Sequence, residues 1–355
     1  MANTAYGVNH PLAVKAWSRK LFNESIKKTW FSKFIGTSSN SLIQRLDDLN
    51  KGPGDRIRVG LRMLLTGDGV QGDATLEGNE ESLTTYSCDV LINQIRHAVR
   101  SDGRVSEQRV PFNVREEMMT GLSDWWAEKL EKAFANQLVG NTTETNTLNT
   151  GNNSTAAPSS NNWILANSET AEASISNGAN WTFTLTMIDR CVARARTQTP
   201  RIRPLRIEGD EYYAMFLHPW QVYQLRTSTS TGQCLDIQKA AFAAMSGAAS
   251  NPIFTGALGI YNGVVLHEAP YLPVFTSTGS GAIIRRAVFC GAQSAIMATG
   301  RETPASGERM SWVEEKFDYG NKLGVSAGMI FGVTKSVFNS TDFATITVST
   351  GSPVV

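Results

Sequence analysis

The sequence predicts an α+β fold, and three observations carry that reading. Between about 111 and 140, apolar residues step by three and four, the spacing of one face of a long helix. Strand-like runs separated by glycine turns fill the last third. Ahead of the helix, a glycine-punctuated stretch lies between two strand-like runs and reads as an extended ribbon rather than part of a compact body.

The elements follow in chain order. Val14, Trp17, Leu21 and then Trp30, Phe31 and Phe34 recur at helical spacing through an N-terminal arm. Lys15, Arg19, Lys20, Lys27, Lys28 and Lys33 lie among them, against Glu24 alone before Asp47. Those cations could face nucleic acid or an acidic partner, although a solvated helix face explains them as well. An arm this short cannot form its own core, so its aromatic residues must dock on something else.

Lys51-Gly-Pro-Gly-Asp55 is a turn signal, followed by IRVGLRMLL, the polar stretch TGDGVQGDATLEGNEE and then LTTYSCDVLINQIRHAV. Two strands joined by a long exposed loop fit this pattern. A lone hairpin is marginal in water, so the ribbon makes sense lying across a neighbouring subunit. In the helix, Met118, Leu122, Trp125, Trp126, Leu130, Phe134 and Leu138 form the apolar face. Glu128 and Lys132 stand four apart with the acid first, the favourable order, and Gly140 is a stop signal.

Residues 141–180 are rich in Asn, Thr, Ser and Gly and read as an exposed loop or insertion with too little apolar content for a core. LTMIDRCVARAR is helical in pattern, and an arginine-rich link leads from it into the apolar strand YAMFL. His218-Pro219 opens a short helix, with proline suited to the first turn. The runs GVVLHEAPYLPVF, AIIRRAVFCGAQSAIMA, LGVSAGMIFGVTKSVF and FATITVST supply the closing strands, and no internal repeat is visible.

Composition narrows the function. The 355 residues carry a net charge of +1, with 41% hydrophobic and 18% charged residues, enough for two or three domains with a sizeable core. A dedicated nucleic-acid binder usually carries a strong basic excess, and near neutrality suits a protein that meets copies of itself. Cys88, Cys191, Cys234 and Cys290 are scattered, with no CxxC and no histidine cluster, so they read as buried thiols and predict neither zinc site nor other metal. The start lacks the layout of a signal peptide, and no uncharged apolar run approaches the ~18 residues a membrane span needs. Asn141-Thr-Thr and Asn153-Ser-Thr therefore carry little weight as glycosylation sites.

Catalytic patterns mostly fail. Gly67-Asp-Gly69-Val-Gln-Gly72 matches GxGxxG, but a dinucleotide site needs a helix to open there, and DATLEGNEESLTTY has no apolar helical period. Neither GxSxG nor GxxxxGK[ST] occurs. His10, His97, His218 and His267 are dispersed, and His218 reads as a helix-start residue rather than a base. His267 and Glu268 are strand neighbours that point to opposite faces. The doublets Glu80-Glu81, Glu116-Glu117 and Glu314-Glu315 read as solvated faces, since a glycosidase pair needs two carboxyls ~5–9.5 Å apart across a cleft. The cluster Arg194, Arg196, Arg201, Arg203 and Arg206 fits phosphate binding and inter-subunit or inter-domain pairing equally well. No catalytic residue and no cofactor is expected.

The runs PRIRPLRIEGDEYYAMFLHPWQVYQLR, NPIFTGALGIYNGVVLHEAPYLP and AVFCGAQSAIMATGR resemble the major capsid proteins of tailed bacteriophages, in a branch known from large podophages. The ending SWVEEKFDYGNKLGVSAGMIFGVTKSVFNSTDFATITVST is similar to that family's closing strands, and the likeness runs from about residue 10 to the end. It implies the Hong Kong 97-type fold: N-terminal arm 1–55, extended ribbon 56–98, peripheral domain 99–204 and 309–355, and axial domain 205–308. The spine helix would be 111–140 and the insertion 141–180, with Gly256, Gly259 and Gly263 as axial turn glycines.

By that resemblance the chain builds an icosahedral head shell around double-stranded DNA without sequence specificity. Its partners would be itself in pentamers and hexamers, a scaffolding protein, a portal and a decoration protein, with no membrane; it would be made in the host cytoplasm and end in the virion. Trp17, Trp30, Phe31, Phe34, Arg201, Arg203 and Arg206 are the candidate inter-subunit contacts. The rival functions are an encapsulin-like compartment around protein cargo and a surface glycan hydrolase.

Overall fold

The structure is a computed structural model that describes residues 29–47, 54–63, 65–73, 75–111, 113–207, 209–227, 257–300 and 310–351. Strands β1 (Ile35–Gly36), β2 (Ile43–Leu46), β13 (Ala295–Thr299), β15 (Lys322–Lys335) and β14 (Met310–Phe317) follow one another in the first sheet, and β5 (Asn93–Arg100) pairs with β15. The second sheet runs β6 (Trp163–Leu165), β18 (Thr345–Gly351), β12 (Ile283–Cys290), β8 (Asp210–Leu217), β10 (Val264–Glu268) and β9 (Ala257–Tyr261). Two short strands, β7 (Leu205–Ile207) and β11 (Val274–Thr276), extend it beside β8 and β12. The ribbon is a separate antiparallel pair, β3 (Arg56–Arg62) with β4 (Thr85–Leu91).

The spine helix spans Val114–Val139, and both ends are set by local chemistry. The Asn113 side chain accepts from the Arg115 N–H at 3.2 Å, while Glu116 and Glu117 lie in the first turn, where the helix dipole favours acids. Gly140 closes the helix in the left-handed region at φ 70°. A Cβ there would also come within 2.7 Å of the Ala156 carbonyl, so glycine is required twice over. Met118, Leu122, Trp126, Leu130, Phe134 and Leu138 are buried as expected, whereas Trp125 is half-buried and stacks on His97. Each fully buried large side chain contributes roughly 1.5–3 kcal/mol, so this face anchors the fold. Glu128 and Lys132 form the expected pair, 2.5 Å apart on the exposed side.

The helix packs in one core with residues of both sheets, including Phe331 and Met297 from the first and Phe216 and Val288 from the second. The second sheet is covered on its other face as well. Tyr213, Met215 and Leu217 of β8 meet Ile188 and Val192 of the helix Leu185–Thr197, with Val222 and Leu225 of the helix Pro219–Thr227, while Ala214 and Phe216 face the spine helix. Alternation within a strand buried on both faces produces the continuous apolar run AMFL.

The sheets cross the sequence-based boundaries. β13, expected in an axial stretch 205–308, pairs with β2 and β15 in the first sheet. β18, expected with the peripheral strands, lies between β6 and β12 of the second sheet, where all seven of its residues are buried. Its alternating Thr and Ser conceal a central strand: the Ser349 hydroxyl is bonded by the Trp163 indole and Glu172, and the Thr350 hydroxyl by Gln221 and the Arg285 carbonyl, whereas the buried hydroxyls of Thr345 and Thr347 have no hydrogen-bond partner among the described residues. β5 leaves the ribbon at Asn93 and joins the first sheet.

Residues 141–180 are not an exposed loop. Asn141, Thr150, Asn153, Asn162, Ile164, Leu165, Ala166 and Ile175 are buried, and the segment is a strap wrapped over the end of the spine helix. Its amides replace apolar contacts by bonding exposed backbone. Asn153 accepts from the Leu91 N–H at 2.9 Å and donates to the Leu91 carbonyl at 3.0 Å, as a paired strand would. Gln137 donates to the carbonyls of Thr150 and Asn153, at 2.7 and 3.0 Å.

Candidate subunit-contact surfaces

The arm from Thr29 onward is docked on the chain's own body. Phe31 is wholly buried and Phe34 is 5% exposed; their rings meet Phe216 at 5.5 and 5.0 Å, and Phe31 also meets Phe134. This corrects the expectation that Phe31 and Phe34 contact a neighbouring subunit, because neither has surface left to offer. Trp30 is half-buried in the same cluster, and its N–H donates to Glu131 of the spine helix at 2.5 Å. Burial raises the Glu131 pKa, with the Trp30 and Tyr271 hydrogen bonds opposing the shift. Trp17 lies outside the described residues.

Two ion pairs hold the strap. Lys335, at the end of β15, meets Asp342 at 2.7 Å, and both side chains are 1% exposed. Asp342 also accepts from the Ser159 N–H at 3.0 Å, and Lys335 donates to the Ala156 carbonyl at 3.2 Å. Burial lowers the Lys335 pKa, with Asp342 opposing the shift. Arg286 of β12 grips Glu172 through two nitrogens at 2.7 and 2.5 Å, donates to the Gly140 carbonyl at 3.1 Å and lies 3.9 Å from the Phe275 ring centroid. One guanidinium thus joins sheet, strap and helix end. A third pair corrects the solvated reading of Glu314, which is buried and bound by Arg115 through Nη2 at 2.6 Å and by the Trp312 indole at 2.8 Å. Sequence reasoning missed these groups; the visible signal was a lone lysine inside the apolar run GMIFGVTKSVF.

The ribbon has a fixed root and a bare tip. Ile57 and Val90 are buried against Ile296 and Ala298 of β13. Asp89 binds Arg58 at 2.6 Å and Arg56 at 3.3 Å, and the Arg58 hydrogen bond leads in holding its carboxyl down at about 2. Beyond the root, Leu65, Leu76 and Leu83 are exposed. The Gly67 N–H donates to Glu81 at 2.7 Å, so the glycine motif binds the ribbon's own carboxylate and opens no helix among the described residues. His218 accepts from the Trp220 N–H at 3.2 Å as a helix-start residue, and burial leads in pushing its pKa down to about 4.

Arg201, Arg203 and Arg206 are exposed. Arg203 reaches Gln293 at 3.3 Å and Arg206 reaches Glu211 at 3.6 Å, while the Arg206 backbone is held on both sides by Asn40. On another face, a groove of about 390 Å³ lies between β5 and the spine helix, lined by Val99, Val110, Val114 and Met118 and edged by Asp102, Glu107 and Glu117. No group of three or more potential metal ligands occurs among the described residues, and no helix there is long and apolar enough to cross a membrane.

The chain thus combines a spine helix packed on two sheets, an outlying ribbon and an exposed arginine face. The model of a family described as phage capsid protein matches residues 3–354. The chain belongs to that family. It is 27% identical, over 371 aligned positions, to the major capsid protein of Pseudomonas phage KPP25, with 94% of this chain and 93% of that protein covered. The solved capsid of Ralstonia phage GP4 is 32% identical, with a TM-score of 0.82 over 99% of this chain and 98% of that one. The capsid of cyanophage Pam1, 22% identical with a TM-score of 0.73 over 93% and 94% of the two chains, shares the fold. The fold is the Hong Kong 97 type, and the capsid protein forms the shell of the phage head.

Proposed function

We propose that this capsid protein builds the head as rings of five and six copies around double-stranded DNA, with ribbon, arm and arginine face as its contacts. The ribbon carries the reading. Its root is packed and ion-paired while its tip lacks a core, so it is stiff where it leaves the body and unsatisfied where it ends. A closed assembly covers such a surface, and many modest contacts multiplied over the shell make it stable. Arg201, Arg203 and Arg206 serve as exposed pairing groups. The arm before Thr29, with Trp17 and its lysines, suits the acid-edged apolar groove of an adjacent copy. A scaffolding protein, a portal and a decoration protein are the further partners of this reading, and assembly takes place in the host cytoplasm.

The test is electron microscopy of chain expressed with its scaffold, intact or with residues 66–83 replaced by a short glycine turn. Closed shells from the intact chain and unassembled, folded subunits from the shortened one are expected. Normal shells without the ribbon tip would refute its role, and no assembly by the intact chain would refute the reading as a whole.

A further inference from the structure

Arg285 is a buried cation that no acid pairs with among the described residues. It sits on β12 at 9% exposure, and its Nε and Nη1 atoms lack a hydrogen-bond partner. Among the described residues no carboxylate pairs with it, whereas its sequence neighbour Arg286 is fully engaged by Glu172. Among the described residues His218 lies near enough to feel its charge, and Val274 of β11 pairs with Arg285 in register. The Gln221 amide donates to the Arg285 backbone carbonyl, which leaves the guanidinium unanswered. A charge held this way is costly to the isolated subunit, and a buried arginine is ordinarily paired. The rim is also suited to contact. Trp220 is half-buried, Tyr223 is 48% exposed and Val274 is 53% exposed; the two rings pack on each other on the helix whose Gln221 bonds the Arg285 backbone, and aromatic residues with arginine are enriched at interface centres.

The complementary surface lies on the same chain. From Met63 to Ile95 the sequence holds Asp68, Asp73, Glu77, Glu80, Glu81 and Asp89 and neither lysine nor arginine. Three of these acids are occupied within the ribbon: Asp89 by Arg58, Glu81 by the Thr66 and Gly67 amides, and Glu80 by the Gly78 amide. Asp68, Asp73 and Glu77 are exposed without such partners, and Leu76 beside Glu77 is 61% exposed.

We infer that the acidic ribbon tip of a second copy docks on the face formed by β11, β12 and the start of the helix Pro219–Thr227, placing a carboxylate of Asp68, Asp73 or Glu77 on Arg285. This rests on the shell reading above and names the surface the ribbon meets. Until that contact forms, the subunit carries an unpaired charge, so the site trades subunit stability for assembly.

That trade makes the test specific. Arg285→Met is expected to leave the urea midpoint of the soluble subunit unchanged or higher, because it removes a desolvated charge, yet to lower shell yield about tenfold with scaffold supplied. Neutralising Asp68, Asp73 and Glu77 together, to Asn, Asn and Gln, is expected to reproduce the defect, and combining both changes should be no worse than either. A clearly lower midpoint for Arg285→Met would mark the arginine as a structural residue and overturn the proposal. Normal shells from either variant would do the same, as would normal shells that no longer retain DNA, which would assign Arg285 to phosphate. If the unmodified chain forms no shells, the shell reading falls first; shells from it alongside any of these results refute the docking site alone.

Discussion

Replacing Lys335 by methionine removes one half of an ion pair that solvent scarcely reaches. Asp342 would keep its carboxylate at 1% exposure with the Ser159 N–H, 3.0 Å away, as its remaining side-chain donor. Breaking a buried pair by deleting one partner costs about 3–5 kcal/mol, because the surviving charge stays desolvated. The double variant Lys335→Met with Asp342→Asn has no orphaned charge, and the asparagine oxygen can still accept from Ser159, so its cost should fall to ~1–2 kcal/mol. The resulting coupling of at least ~2 kcal/mol is read from urea unfolding of the unassembled subunit by tryptophan fluorescence, comparing midpoints at equal slope. Hydrogen exchange supplies a second reading: in the single variant the amides of residues 141–162, which the pair ties down through Ala156 and Ser159, should lose protection first. A single variant costing under ~1 kcal/mol, or a double variant as costly as the single, would show that the pair does not hold the strap.

Three further outcomes follow from the same packing. Phe31→Ala should destabilise the subunit by ~3–5 kcal/mol in the same urea assay, since Phe31 is fully buried, whereas removal of residues 1–28 should leave a folded, soluble body. Gly140→Ala should cost at least ~1–2 kcal/mol, from a left-handed backbone and a Cβ 2.7 Å from the Ala156 carbonyl, seen as a lower unfolding midpoint. Glu131 has its pKa raised by burial, so the folded state holds its proton more tightly than the unfolded one. Its contribution is therefore most favourable below the ordinary glutamate value of 4.5 and declines as pH rises through the folded pKa. Glu131→Gln, which can still accept from the Trp30 N–H, should flatten that decline; an unchanged stability-versus-pH curve between the wild type and this variant would refute it.

Elements governed by neighbours in the chain were legible from the sequence by itself. The spine helix falls within its expected span because Asn113, the three-and-four spacing of its apolar residues and Gly140 act over a few positions each. The ribbon's two strands and the His218-Pro219 helix start are local in the same sense. Tertiary structure decided what depends on distant partners. β18 reads as polar alternation, and only pairing with β6 and β12 makes all of it interior. The Asn-rich strap looks solvent-loving because an amide is equally suited to water and to an unpaired backbone group, and which it meets is settled by where Leu91 and the end of the spine helix lie. The arm's aromatic residues announced that they must dock; the closeness of Phe216 and Phe134 determined that Phe31 docks at home. Charge follows the same rule. Glu172 and Glu314 bear no mark of burial in their neighbourhoods, because the cost of desolvating a charge is met by a partner far away in sequence, and a one-dimensional pattern carries no record of that distance; Lys335 is marked by the apolar run around it, and its partner Asp342 lies close by in the chain.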